Sequence, residues 1–259
     1  ESEGFYRFEY HDCVLCGSNR FEYLATHDRY GLYLPVAICR NCGLIQVTPR
    51  MTSSAYTSFY QSEYRGLYEG KNANAISAFE DEVSRGTLIC KFLRSSGAID
   101  RPISDLAVLE VGCGAGGVLK VFSDQGCQVF GTDINPKYLD FGKRTHRLPL
   151  ACGHLSGLDI PFAPDIIIYS HVLEHILNPH EELRHARELL KNDGIIYIET
   201  PGVFFLRRGT YDFMQIIQNA HVFYFTLRSL RNLLEQNGYI FVLGNEFIRS
   251  VFRKSSSKN

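Results

Sequence analysis

Two pairs of cysteines near the start of the chain have the spacing of metal ligands. Cys13 and Cys16 form the first pair, Cys39 and Cys42 form the second, and a glycine directly follows each pair. Two thiols separated by two residues can reach one ion because the chain turns back on itself, and the glycine permits a turn whose N–H groups face the thiolates. Four sulfur ligands without an open position predict a structural zinc ion, with free pairs or redox dithiols as the alternatives.

A glycine-rich turn lies near the middle of the chain, where an apolar run passes into a segment of helical spacing. Residues 109–117 read LEVGCGAGG, and small residues there let the backbone pass close to a bound ligand. Asp133 ends the next apolar run, at the distance expected of a carboxylate that binds ribose hydroxyls, and Ile134 beside it can pack against an adenine. Such a turn also suits NAD, so these residues alone leave the nucleotide open.

Three histidines lie in segments that follow apolar runs. His171 and His175 come directly after the run 166–170, and His221 lies in a later loop among aromatic residues. Histidine suits the removal of a proton from a substrate because its pKa is near neutrality, and open α/β sheets bind ligands where their strands end. We expect His221 to be the first candidate base, with substrate binding or loop packing as alternatives. A buried histidine bonded to backbone is the alternative for His175.

The secondary structure that positions these residues is predicted from an alternating pattern. Short apolar runs alternate with segments in which apolar residues recur at helical spacing. A helix is predicted over 76–95, strand-like runs occur earlier at 20–24 and 34–38, and the tail 253–259 is expected to fray. Alternating strands and helices predict an α/β fold, a Rossmann-like doubly wound and mostly parallel sheet with right-handed crossovers. The predicted strands are 107–111, 128–132, 166–170, 195–200 and 239–244, and the helices between them are 117–125, 137–144, 181–191 and 227–237.

A tyrosine-rich segment connects the cysteine pairs to this alternating region. Tyr56, Tyr60, Tyr64 and Tyr68 recur at every fourth position and so form one helical stripe. The stripe predicts packing in a core or an interface. The alternative is a lid over the bound nucleotide in which Tyr64 or Arg65 contacts a carboxylate, a group that the planar guanidinium of arginine binds with two hydrogen bonds.

The form of the glycine-rich turn, with an acidic residue inside the strand before it, resembles that of class I S-adenosylmethionine-dependent methyltransferases over roughly residues 76–245. Residues 165–175 with Pro179 resemble the fourth strand and its Glu-His loop, and 219–226 resemble the loop that faces substrate. The resemblance implies an enzyme that binds S-adenosylmethionine and releases S-adenosylhomocysteine. The residues that it implies for cofactor binding, apart from Tyr64 and Arg65, are Glu110, Gly112, Gly114, Gly116, Asp133, Ile134, Leu155 and Ser170.

One segment departs from that pattern. After the third strand many relatives carry an acidic residue near the adenine amine, whereas this chain has Cys152-Gly153-His154-Leu155. Contact with the adenine is therefore expected from backbone groups or His154.

A four-cysteine module in front of such a domain resembles sugar methyltransferases of deoxysugar and surface-polysaccharide pathways. The resemblance implies a sugar nucleotide or glycan intermediate as the methyl acceptor. It divides the chain into a zinc module (1–50), a tyrosine-rich linker or lid (51–75) and a methyltransferase domain (76–259).

Charge and hydropathy narrow the classes of function. The formal net charge is -1. The chain therefore lacks the excess of basic residues that usually binds a nucleic-acid backbone, and nucleic acid is not the expected partner. No apolar run approaches the roughly 20 residues of a membrane span, and no leader is visible, so a cytoplasmic location is expected. Two rivals stay open: an RNA methyltransferase that grips RNA with its zinc module, and a scaffold that binds the cofactor without turnover. The oligomeric state is not indicated.

Overall fold

The computed structural model describes residues 6–68, 74–204 and 213–256. The strands of the first part are β1 (Phe8–Glu9), β2 (Phe21–His27), β3 (Tyr33–Cys39), β4 (Ile45–Val47) and β5 (Arg50–Met51), and the helices that follow them are α1 (Ser53–Ser62), α2 (Tyr64–Tyr68) and α3 (Ala75–Ser95). The strands of the second part are β6 (Ala107–Val111), β7 (Gln128–Asp133), β8 (Leu150–Cys152), β9 (Ile166–Ser170), β10 (Ile195–Glu199), β11 (Phe223–Tyr224), β12 (Tyr239–Gly244) and β13 (Arg249–Lys254). Its helices are α4 (Gly117–Ser123), α5 (Pro136–His146), α6 (Pro179–Leu189) and α7 (Leu227–Gln236).

The central sheet has the strand order β12-β13-β10-β9-β6-β7-β8. The pairs β10–β9, β9–β6, β6–β7 and β7–β8 are parallel, and only β13, which pairs with β10 and β12, runs against its neighbours. Every residue of β6, β9 and β10 is buried, as expected for parallel strands covered on both faces. The predicted Rossmann-like, mostly parallel fold is confirmed.

The last strand corrects one expectation about the tail. Residues from 253 onward were expected to fray, but Arg253 pairs with Ile195 of β10 and with Ile240 of β12. The strand is fixed because Val251 and Phe252 are fully buried between the two neighbouring strands. Charged residues on both sides of this short apolar core concealed it in the sequence.

A second, antiparallel sheet forms in the N-terminal part, which we call the cysteine module (residues 6–51). Its strand order is β11-β4-β3-β2, so its edge strand β11 comes from the second part of the chain. Phe223 pairs with Gln46 and Tyr224 with Ile45. The module is therefore joined by strand pairing to the loop that carries His221.

The tyrosine-rich segment is helical and packs against the rest of the protein. Thr52 caps α1 by accepting a hydrogen bond from the backbone N–H of Ala55. Tyr56 and Phe59 are buried in a core that also contains residues of the module and of the sheet. The residues on this face of α1 therefore pack in a core, which is the first of the two interpretations of the tyrosine stripe.

Within the described ranges, no helix combines the length and the apolar character that crossing a bilayer requires.

Candidate functional site

The glycine-rich turn joins β6 to the N-terminus of α4, and we call residues 112–117 the cofactor turn after the role that the sequence predicts for them. Gly112, Gly114 and Gly116 have φ values of +70°, +55° and +86°, a backbone region that strains other residues. A Cβ atom on Gly112 would collide with Val172, and one on Gly114 would collide with Glu82. The glycines are thus required by backbone shape and by close packing of the chain itself.

Asp133 ends β7 beside this turn. Its Oδ2 accepts a hydrogen bond of 2.9 Å from the N–H of Gly114, and its Oδ1 accepts one of 2.8 Å from the N–H of Asn135. These bonds fix the carboxylate at the carboxyl end of the sheet, where doubly wound folds bind nucleotides. A carboxylate offers about four acceptor positions in all, which suits a group that also binds the hydroxyls of a ribose.

Glu82 of α3 is a site residue that sequence reasoning missed. Its carboxylate accepts hydrogen bonds from the N–H groups of Ala115 (3.1 Å) and Gly117 (2.8 Å), at the start of α4. Burial raises the pKa of Glu82 to about 7, although these two hydrogen bonds act in the opposite direction. The helical spacing of 76–95 predicted α3 but could not show that one of its carboxylates reaches the cofactor turn.

Buried polar atoms without a hydrogen-bond partner among the described residues mark three neighbouring strand ends. They are Glu110 Oε2 in β6, Ser170 Oγ at the end of β9, and Thr200 Oγ1 directly after β10. Burial raises the pKa of Glu110, and the nearby Glu82 and Asp133 raise it further. Orphaned polar atoms and crowded carboxylates suit a polar ligand that carries positive charge, as S-adenosylmethionine does with its sulfonium and ammonium groups.

Other predicted cofactor residues differ in how accessible they are. Ile134 is 48% exposed and adjoins Asp133, so its side chain is free to pack on a ring. Leu155 is 1% exposed and belongs to the core, which leaves only its backbone for a ligand. Tyr64 packs on Tyr60 with a distance of 4.8 Å between ring centroids, and the side chain of Arg65 lies outside the described residues.

The three predicted histidines come together around a buried glutamate, and we call His171, Glu174, His175 and His221 the histidine cluster. Glu174 Oε1 lies 3.6 Å from His171 Nδ1 and 3.9 Å from His175 Nε2. The rings of His175 and His221 have centroids 4.8 Å apart. A backbone hydrogen bond of 2.8 Å from Val222 N to Glu174 O joins the two loops that supply the cluster.

Electrostatics within the cluster favour neutral imidazoles at His175 and His221 and an ionised carboxylate at Glu174. Burial lowers the pKa of His221 to about 3, with neighbouring histidines adding to the effect, and burial likewise lowers the pKa of His175. Burial alone would raise the pKa of Glu174, but the three histidines outweigh it and hold that pKa below its usual range. His171 is the most accessible member, with 38% of its side chain exposed.

The backbone at His171 is strained. Its φ of +58° places a non-glycine residue in the left-handed region, where such strain concentrates at functional sites. A hydrogen bond of 2.8 Å from its N–H to the carbonyl of Glu199 in β10 holds this conformation.

Helix α1 and the cysteine module hold the loops of the cluster in place. Tyr60 Oη lies 2.9 Å from His175 Nδ1, which is also 2.8 Å from the carbonyl oxygen of Ala220. Asn219, two residues before His221, donates a hydrogen bond of 2.9 Å to the buried carboxylate of Asp28 in the turn between β2 and β3. The backbone bond expected as the alternative for His175 is therefore present at its Nδ1.

The four cysteines converge on one point in the module, and we call them the cysteine cluster. Cys13 Sγ lies 3.4 Å from Cys42 Sγ, Cys16 Sγ lies 3.5 Å from Cys39 Sγ, and all four sulfurs lie within 4.8 Å of one another. Two sulfurs bound to one zinc ion at the tetrahedral angle are roughly 3.8 Å apart. The donor set and its spacing therefore fit a single tetrahedral ion.

Relatives of known name are methyltransferases. A ubiquinone biosynthesis O-methyltransferase from Caulobacter vibrioides is 28% identical over 120 residues, which cover 40% of this chain and 44% of the relative. A protein of the same name from a Ruegeria species is 24% identical over 173 residues, covering 55% of this chain and 66% of the relative. The chain thus spans between 44% and 66% of the length of these two relatives.

Solved structures of methyltransferases share the fold. The 1,6-didemethyltoxoflavin-N1-methyltransferase of Burkholderia thailandensis, with S-adenosylhomocysteine bound, has a TM-score of 0.57 at 18% identity and covers 92% of this chain and 100% of its own. The magnesium protoporphyrin IX methyltransferase of Synechocystis has a TM-score of 0.52 at 15% identity and covers 79% and 100%. A family model described as a methyltransferase domain matches residues 82–242. Since this match covers more than half of the chain, the protein belongs to that family of methyltransferase domains.

Proposed function

We propose that this protein transfers the methyl group of S-adenosylmethionine to a small-molecule acceptor held beside the histidine cluster. The observation that carries the proposal is the set of orphaned buried polar atoms at the ends of β6, β9 and β10, next to the cofactor turn of a methyltransferase domain. An NAD-dependent activity finds no support in the relatives, which are named as methyltransferases.

The residues at the carboxyl edge of the central sheet have separate roles in this reaction. The bound cofactor supplies a methyl group on a sulfonium, which is a strong electrophile. Asp133 accepts hydrogen bonds from the ribose hydroxyls, Ile134 packs on the adenine, and Glu110 with Ser170 faces the methionine end. The histidine cluster orients the acceptor for in-line attack and takes part in removing its proton.

For the acceptor we favour a sugar nucleotide or a glycan intermediate. The support is the sequence resemblance together with the pairing of the cysteine module to the loop of His221, since the module then forms part of the acceptor side of the site. The relatives named for ubiquinone biosynthesis provide the competing class, a phenolic acceptor.

For the cysteine cluster we favour one structural zinc ion. The N–H of Gly17 donates to the carbonyl of Cys13 and that of Gly43 to the carbonyl of Cys39, so both pairs form the same turn. Both glycines have positive φ. Four sulfurs leave no open coordination position, which suits structure and not catalysis.

The first test is calorimetric titration of the purified protein with S-adenosylhomocysteine and then with NAD. Binding of S-adenosylhomocysteine without binding of NAD supports the proposal. The variant Asp133→Ala should lose about a hundredfold in affinity, because it loses hydrogen bonds to a charged acceptor worth about 1.5 to 3 kcal/mol each. Unchanged affinity would mean that Asp133 does not hold the ribose.

Turnover then separates the acceptor classes. Panels of nucleotide sugars, catechols and structured RNA are incubated with radiolabelled cofactor, and transfer to a nucleotide sugar supports the favoured acceptor. Transfer only to catechols or to RNA would replace it. Cofactor binding with no transfer to any panel would favour a non-catalytic scaffold.

A further inference from the structure

The histidine cluster contains a buried carboxylate whose oxygens have no hydrogen-bond partner at 3.5 Å or less among the described residues. This carboxylate belongs to Glu174, which is 1% exposed. Buried polar atoms without partners are costly, whereas coordination of the carboxylate to a cation would remove that cost.

The distances around Glu174 match those between ligands of a common ion. The ring nitrogens of His171 and His175 lie 3.6 Å and 3.9 Å from Glu174 Oε1, too far for good hydrogen bonds. Ligand atoms of Glu174, His175 and His221 all lie within 4.8 Å of one another. Two nitrogen or oxygen ligands of one tetrahedral zinc ion are roughly 3.4 Å apart, so a small contraction brings these atoms to bonding distance.

The outer contacts of the two histidines are those of metal ligands. A carbonyl oxygen can only accept, so the 2.8 Å contact with Ala220 O places the proton of neutral His175 on Nδ1 and leaves Nε2 with a lone pair facing Glu174. His221 hydrogen-bonds through its ring to the carbonyl of Ile216, and its Nε2 also contacts the side-chain amide of Gln218, a contact that coordination through Nε2 would replace. Ligating histidines usually donate their other N–H to such a carbonyl, which fixes the ring and its tautomer.

We infer that Glu174, His175 and His221 bind one divalent transition-metal ion, with His171 at the accessible side of the site. Two imidazoles and a carboxylate suit Zn²⁺, Fe²⁺ or Co²⁺ and resemble three-ligand sites that keep a coordination position open. This ion is separate from the one proposed for the cysteine cluster, whose donors are all sulfur.

An open position next to His171 has a consequence that rests on the proposed function. A hydroxyl of the acceptor bound there becomes more acidic and releases its proton to water. Its oxygen then attacks the methyl carbon, the carbon–sulfur bond breaks, and the electron pair remains on sulfur as S-adenosylhomocysteine. A side-chain base is then not required.

Metal content tests the site without any need for turnover. Wild-type protein is equilibrated with Zn²⁺, freed of excess by dialysis and analysed by mass spectrometry, and about two ions per chain are expected, one for each cluster. Glu174→Gln and His221→Ala should each lose about one ion. Glu110→Gln is the matched control, because Glu110 is also a buried carboxylate with an orphaned oxygen, and it should keep both.

The absorption spectrum of the wild type with Co²⁺ tests the site even if the variants fold poorly. In a titration with Co²⁺, one equivalent should give thiolate charge-transfer absorption, and a second should add ligand-field bands without more thiolate absorption. A wild type in which every bound ion adds thiolate absorption would overturn the site. So would Glu174→Gln and His221→Ala variants that keep both ions. Titration of the same samples with S-adenosylhomocysteine reports separately on the proposed function.

Discussion

The cysteine cluster and the histidine cluster both gather metal-binding side chains, but the chain builds them in different ways. The four sulfurs come from two short turns, and each turn is closed by its own glycine and its own backbone hydrogen bond. The histidine cluster joins the loop after β9 to the loop before β11, and these loops meet only because the whole sheet and the module hold them. We therefore expect the histidine cluster to depend on the module that carries the cysteines, whereas each cysteine turn is closed by its own local hydrogen bond.

The largest effect is expected from Cys39→Ser, which removes a buried sulfur of the cysteine cluster. A structural zinc ion contributes apparent binding energies of about 10 kcal/mol or more, so the module should unfold and the loop of His221 should lose its partner strand. Thermal unfolding and metal content measure this outcome. A variant that keeps its zinc, its melting temperature and its turnover would break the proposed dependence.

The pH dependence of the free energy of unfolding reports on Glu82 of α3, which lies outside the cysteine module. The pKa of Glu82 is raised from 4.5 to about 7 in the folded protein, so the folded state holds a proton that the unfolded state releases. Between these two pH values the free energy of unfolding should therefore fall as pH rises, by at most about 3 kcal/mol. Glu82→Gln should lack this component, and denaturant unfolding at several pH values compares the two. Parallel pH profiles would show that Glu82 does not titrate in this window.

His221→Ala tests the histidine cluster alone. We expect unchanged affinity for S-adenosylhomocysteine and a loss of about a hundredfold in turnover, since the residue acts on the acceptor side. His27→Ala is the matched control because His27 lies exposed on β2, and it should behave as wild type. If His221→Ala retains full turnover, the acceptor does not depend on this residue.

The smallest effect is expected from Asp28→Ala, which breaks the link between the two clusters without touching either. The hydrogen bond from Asn219 to Asp28 is lost, together with the two that Asp28 Oδ1 accepts from the N–H groups of Tyr30 and Leu32 in the turn, and we expect turnover to fall about tenfold with unchanged cofactor affinity. Glu22→Gln removes an exposed ion pair with Arg40 in the same hairpin and serves as the control. Equal turnover in both variants would show that the link has no catalytic role.

The sequence predicted those parts of the fold and the site that rest on local patterns. The runs 107–111 and 166–170 coincide with strands because parallel strands need continuous apolar residues, and the run 239–244 coincides with the antiparallel edge strand β12. The cysteine pairs and the cofactor turn were visible because their geometry depends on glycines at fixed offsets.

What the sequence concealed depends on contacts between distant segments. Glu82 lies more than thirty residues before the N–H groups that it binds, and nothing in its helix distinguishes it from its acidic neighbours. The three histidines were predicted one by one, but Glu174 as their common centre follows only from the folded arrangement. The strand β11 is two residues long and has no detectable periodicity of its own.

The strand β11 has a consequence for biosynthesis. Its partner β4 leaves the ribosome about 180 residues earlier, which at typical synthesis rates corresponds to roughly 10 to 35 seconds. Throughout that interval the edge of β4 is unpaired in the nascent chain, and an exposed strand edge is a template for association with other chains. Production of this protein should therefore depend on chaperones and on slow expression at low temperature more than the size of its sheet would suggest.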